Sequence, residues 1–219
     1  MKILFVGNSY TYVNDMPKML EALLIENGRD AQVFSVTAGG RRLIQSTSDD
    51  EKAKALRSLL DDHTFDAAIL QEQSLLPILD KATFLRGAEG VKELMGDRVE
   101  RIILYSTWGR KPGSPDLAEH GWTHEGMTAD LVSAYEEAAE LIGADLSYVG
   151  KAFSRAMQIN HSTELYHADM THPSYLGSAL GVVVHFAALT GDMPEKLGSL
   201  KLGKEDEELI AEAAAYSRK

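Results

Sequence analysis

Apolar residues recur along this chain in two alternating rhythms. Ile3 to Val6 is a short run with no in/out alternation, the mark of a parallel strand covered on both faces. Met16, Met19, Leu20, Leu23 and Leu24 then fall at i, i+3, i+4, i+7 and i+8. That spacing predicts an amphipathic helix, with Asp15 as its cap and Gly28 as its stop. A second strand is expected over Ala31 to Val36, a helix over Glu51 to Leu60, and a third strand over Phe65 to Leu70. A helix from about Lys81 to Met95 precedes a fourth strand, Val99 to Ser106, rich in Ile and Val. Helical spacing returns from Ala129 to Ile142, followed by a fifth strand over Asp145 to Val149 and a short helix over Lys151 to Gln158. Pro173 and Ser174 lead into a helix whose apolar face is Leu176, Leu180, Val183, Val184 and Ala187; proline in a first turn is a start signal. A last surface-packed helix is expected over Lys204 to Tyr216.

This β-α-β-α period predicts an α/β fold with a parallel sheet, in which ligands bind at the carboxyl ends of the strands. One stretch breaks it. From Trp108 to Gly126 the chain runs through Gly, Pro, Trp and His, too long for an ordinary connection and placed where functional lids occur. No repeat, low-complexity segment or domain boundary stands out, so 1–219 reads as a single domain with a lid-like insertion at about 108–126.

Composition narrows the partners. With 219 residues and 44% apolar content there is enough material for one large core. The 22 basic and 33 acidic residues leave a formal net charge of -11, which argues against nucleic acid and anionic membrane as partners. Cysteine is absent, so there is no disulfide framework, thiolate zinc site or catalytic thiol. No stretch approaches the ~18 apolar residues of a membrane span, and a cytoplasmic location is the default expectation.

Polar groups gather where the strands end. The first strand runs into Gly7-Asn8-Ser9-Tyr10-Thr11, the second into Thr37-Ala38-Gly39-Gly40, the third into Gln71-Glu72-Gln73-Ser74. Late in the chain Asp169 and His172 stand three apart in a turn entering a helix, a spacing that lets a carboxylate reach an imidazole Nδ1. Nucleophilic acyl transfer needs a hydroxyl, a base, an orienting carboxylate and oxyanion donors. Ser9, His172, Asp169, and Gly40 with Gln73 are candidates in those roles, and Gln71 competes with Gln73. Each residue alone has a plainer account as a cap, turn or loop amide; their joint occurrence at strand ends favours chemistry. The nucleophile elbow G-x-S-x-G does not fit, because Thr11 occupies the second glycine position. Trp108 and Trp122, the latter flanked by His120 and His124, can stack on a sugar ring, shape an acyl pocket, or simply pack the insertion. A zinc site from His120, His124, His161 and His167 lacks any supporting spacing. Arg41 and Arg42 read more simply as a solvated basic pair than as an anion site.

Gly7-Asn8-Ser9, Gly40, Gln73 and Asp169-x-x-His172-Pro173 together resemble the four blocks of the SGNH, or GDSL-type, hydrolases. The resemblance spans residues 3 to about 188. It implies a flavodoxin-like three-layer α/β/α sandwich with a five-stranded parallel sheet, and ester hydrolysis, often removal of acetyl groups from carbohydrates, with neither metal nor cofactor. It implies Ser9 as nucleophile, Asp169 and His172 as the rest of the triad, and the Ser9 N–H, Gly40 N–H and Gln73 side chain as oxyanion donors. Two positions depart from the pattern: Asn8 replaces the aspartate of G-D-S, and Gln73 stands where the family has asparagine. The expected activity is therefore a serine esterase acting on a small-molecule or carbohydrate ester, declining as His172 protonates at or somewhat below neutral pH. A non-catalytic carbohydrate-binding protein of the same fold is the alternative, and a flavodoxin-type phosphate binder using Asn8 to Thr11 is weaker because it leaves Asp169 and His172 without a role.

Overall fold

The computed structural model describes residues 1–218. Five strands, β1 (Lys2–Gly7), β2 (Gln32–Thr37), β3 (Ala67–Leu70), β4 (Ile102–Tyr105) and β5 (Asp145–Ser147), form one parallel sheet in the order β2-β1-β3-β4-β5. The helices are α1 (Ser9–Tyr12), α2 (Met16–Glu26), α3 (Glu51–Asp62), α4 (Leu76–Leu79), α5 (Lys81–Met95), α6 (Pro115–His120), α7 (His124–Ile142), α8 (Val149–Ile159), α9 (Tyr175–Thr190) and α10 (Lys204–Tyr216). Among the described residues no helix is long and apolar enough to cross a membrane.

The missing alternation in β1 has its explanation in the two cores. Ile3 and Phe5 point into a cluster with residues of α2, α8, α9 and α10, whereas Leu4 and Val6 point into another with α3, α5 and α7. All four are at most 1% exposed, and each such burial contributes about 1.5–3 kcal/mol. The strands themselves are shorter than the apolar runs. Phe65 and Val99 meet only in an isolated bridge, and β4 begins three residues after Val99.

Two expected helix starts differ. Asp15 precedes α2 in a left-handed conformation and makes no side-chain cap; Pro17 in the first turn is what favours the start there. Pro173 lies outside α9, whose cap is Ser174, with its hydroxyl accepting the Gly177 N–H at 3.1 Å. Asp50, Asp80 and Thr123 cap α3, α5 and α7 in the same way.

The chain order reverses at β1, which lies between β2 and β3. A doubly wound sheet opens its ligand crevice at such a switch point, beyond the carboxyl ends of the strands. Gly7, Thr37 and Leu70 end there, in register across β1 as Gly7↔Thr37 and Val6↔Leu70.

Candidate active site

Ser9 is the first residue of α1, held in a turn whose shape is set from below. The Asn8 side chain accepts the Tyr10 N–H at 3.2 Å and donates to the Arg41 carbonyl at 3.0 Å. The Asn8 N–H and the Thr11 hydroxyl both donate to Gln71 Oε1, at 2.9 and 3.0 Å. Gly7 leaves room for this knot, since a Cβ there would stand 2.5 Å from Thr11 Oγ1 and 2.8 Å from Gln71 Oε1.

Gln71 is therefore not a substrate or oxyanion group, contrary to expectation. It is fully buried, its oxygen is taken twice, and its Nε2 donates to the Glu72 carbonyl.

The Asp169–His172 turn divides the carboxylate between two tasks. Asp169 Oδ1 accepts the N–H groups of Thr171 and His172, at 3.0 and 2.9 Å. Oδ2 is left 2.6 Å from His172 Nδ1, and His172 Nε2 lies 2.7 Å from Ser9 Oγ. Desolvation raises the Asp169 pKa, but the hydrogen bonds from the His172 ring and the two N–H groups outweigh it and lower it to about 2. The carboxylate therefore stays ionised beside the imidazole. Met170, between them, takes a left-handed φ of 62° and closes the turn by donating to the His167 carbonyl.

A bed of residues from the insertion supports this loop. Trp108 Nε1 donates to the Thr171 carbonyl at 3.1 Å, the Lys111 N–H to Met170, and the Tyr166 hydroxyl to Gly109 at 2.7 Å. Trp108 is fully buried, sandwiched between Tyr10 and Phe153 with ring centroids 4.7 and 4.1 Å away. The expectation of a substrate-facing Trp108 is thus overturned, and the root of the insertion is core rather than lid. Trp122 stacks on His120 at 4.3 Å and packs partly against the core. His124 is buried between Ser154 Oγ and the Arg110 carbonyl, and its burial lowers its pKa.

Sequence reasoning missed Arg110 and Tyr10. Arg110, almost fully buried, donates to the Tyr10 hydroxyl, to Ser74 Oγ at 3.0 Å and to Asp116 at 2.7 Å. Tyr10 meets the His172 ring edge-on at 5.5 Å. Burial, partly offset by Arg110, pushes the Tyr10 phenol up to about 12. The only sequence signal was the basic pair Arg110 and Lys111 right after Trp108 and Gly109.

Three N–H donors follow the carboxyl ends of β1, β2 and β3. As the first helical residue, Ser9 has no intrahelical acceptor for its own N–H. Ala38 to Arg41 forms a turn closed by the Arg41 N–H on the Ala38 carbonyl at 3.2 Å, with Gly40 at φ +63° as a type II turn requires. The Gly40 N–H donates to nothing among the described residues. Gln73 Oε1 accepts the N–H groups of Leu75 and Leu76, both at 2.9 Å. Two N–H donors can face only the amide oxygen, so Nε2 points away from the cap and has no partner among the described residues. The oxygen thus holds the two N–H groups that open α4 and leaves the nitrogen to face elsewhere.

No family model and no curated protein matches the chain by sequence. Solved structures do match. A candidate SGNH hydrolase from Slackia heliotrinireducens superposes with a TM-score of 0.76 at 29% identity, covering 86% of this chain and 98% of that one. The fold is that of the SGNH hydrolases. A DUF4886 family protein from Bacteroides uniformis is similar over 100% of this chain and 94% of its own, at a TM-score of 0.77 and 19% identity. The acetyl xylan esterase AlAXEase shares the SGNH fold at a TM-score of 0.63 and 13% identity, over 86% of this chain and 99% of that one.

Proposed function

We propose that this SGNH-fold protein is a serine esterase that hydrolyses a small acyl ester, with acetyl on a carbohydrate as the substrate class. The observation that carries the reading is the continuous relay Ser9 Oγ, His172 Nε2, His172 Nδ1, Asp169 Oδ2, with links of 2.7 and 2.6 Å. A serine within 3 Å of an imidazole that is itself held by a carboxylate is the arrangement nucleophilic acyl transfer needs. Fold likeness to acetyl xylan esterases supports the substrate class.

In this reading His172 Nε2 takes the Ser9 proton as Oγ attacks the ester carbonyl. The negative charge that develops on the carbonyl oxygen is met by the Ser9 N–H, the Gly40 N–H and Gln73 Nε2. His172 then protonates the departing alcohol, leaving an acyl-Ser9 ester. Water, deprotonated by the same nitrogen, releases the acid and returns the proton to Ser9. Asp169 holds the Nδ1–H tautomer throughout and stabilises the imidazolium formed in each half.

The test is mass spectrometry after exposure to a fluorophosphonate, together with turnover of aryl acetate, butyrate and octanoate. An adduct on Ser9 and turnover favouring acetate are expected, both lost in Ser9→Ala. Turnover that survives Ser9→Ala, or the absence of an adduct, would overturn the reading.

A further inference from the structure

Glu72 lies between the two glutamines of the third strand end and is fully buried. Its Oε1 accepts the Gln73 N–H at 2.6 Å and the Leu43 N–H at 3.2 Å; its Oε2 also faces the Leu43 N–H, at 3.1 Å. It belongs to no ion pair within 4.0 Å among the described residues. Burying a carboxylate without a cationic partner is costly, and a neutral side chain would serve stability better.

What the carboxylate spans suggests why it is there. Leu43 follows the Gly40 turn by two residues, and that turn is tied forward by Asn8 Nδ2 on the Arg41 carbonyl. Gln73 follows β3. These segments leave β2 and β3, which are not neighbours because β1 lies between them. The ladders through β1 reach only Ala38 and Gln71; beyond them, no backbone hydrogen bond among the described residues joins the two segments, and the Glu72 carboxylate ties Leu43, three residues past Gly40, to the end of β3.

We propose that Glu72 is a positioning residue whose anionic carboxylate fixes the separation of the Gly40 and Gln73 donors across the end of β1. The inference rests on the esterase reading above. Protonation would set an O–H against the Leu43 N–H and weaken the bridge. The groups facing Glu72 divide. The Leu43 and Gln73 N–H groups, with Arg42 beyond them, favour the anion, while the Tyr135 hydroxyl of α7 accepts the Glu72 N–H at 3.2 Å. Burial dominates and pushes the carboxyl up to about 7, so the bridge titrates in the working range.

The experiment measures kcat and KM for an aryl acetate from pH 5 to 9 in the parent and in Glu72→Gln, with fluorophosphonate labelling of the parent alongside. At pH 8 the variant should lose about 10- to 100-fold in kcat with KM within about twofold, because the donors act mainly in the transition state. The acid limb of the parent kcat/KM should follow two protons, and that of Glu72→Gln only one. A variant kcat within twofold of the parent, or limbs of equal steepness in both, overturns the proposal. Should the variant fail to fold, the parent decides: a one-proton limb overturns it and a two-proton limb supports it. A parent that leaves Ser9 unlabelled overturns the esterase reading itself, a result that labelling shows independently of any Glu72 variant.

Discussion

Trp108 lies beneath Thr171 and donates its indole N–H to that residue's carbonyl at 3.1 Å. The next residue is His172, so the indole props up the base. Trp108→Phe keeps a ring in the stack but leaves the carbonyl short of a donor. It should lose about 0.5–1.5 kcal/mol of stability and several-fold in kcat. Chemical denaturation and aryl-acetate turnover check the two effects separately.

Gln73 gives its oxygen to a cap and leaves its nitrogen free. Gln73→Glu preserves an oxygen for the Leu75 and Leu76 N–H groups while replacing the donor with an acceptor. Loss of a single oxyanion donor costs about 10²- to 10³-fold in kcat. The variant should show that loss without a fall in Tm, whereas Gln73→Ala should lower both, the cap accounting for about 1 kcal/mol.

Asp169→Asn tests the orienting carboxylate. The amide can still accept from the backbone, so the turn should survive, but an Nδ2 beside His172 Nδ1 selects the wrong tautomer. A kcat reduced by about 10³- to 10⁴-fold with unchanged circular dichroism is expected. In the parent, the lowered Asp169 pKa means that its stabilising contribution is present above its unfolded value and is lost as pH falls towards about 2.

Glu72 has the opposite sign. Its folded pKa is raised, to about 7, so the relative stability is full below its unfolded value and is lost as pH rises through neutrality. The parent should lose on the order of 3 kcal/mol between pH 4.5 and 8 from this group. Urea denaturation midpoints across that range should fall in the parent and flatten in Glu72→Gln.

Gly7→Ala should be worse than an ordinary glycine substitution. The added Cβ meets Thr11 Oγ1 and Gln71 Oε1 at 2.5 and 2.8 Å, both fixed by hydrogen bonds. A destabilisation of about 1–3 kcal/mol, with kcat falling as Ser9 shifts, is the expected outcome in unfolding and turnover assays.

Much of this arrangement was visible in the sequence because the relevant signals are local. The apolar run from Ile3 to Val6, the glycine at 40 and the three-residue spacing of Asp169 and His172 each specify a short-range geometry that the structure contains. What the residues hid was long-range. Gln71 and Gln73 are indistinguishable as letters, and only partners about 60 residues away, Asn8 and Thr11, turn the first into a buried strut. Trp108 resembled a sugar platform because aromatic residues in loops often are, yet Phe153 and Tyr10 enclose it. Asp15 had the right letter for a cap but sits in a left-handed conformation and makes no cap hydrogen bond. Strand order was not legible, since periodicity says nothing about which strands pair.

The segment that interrupts the α/β period is fastened to the loop of the acid–base turn by Trp108 on Thr171, Lys111 on Met170 and Gly109 on Tyr166. If it hinged open at its root, it would drag His172 off the serine. That root is therefore part of the frame that holds the base rather than a hinge.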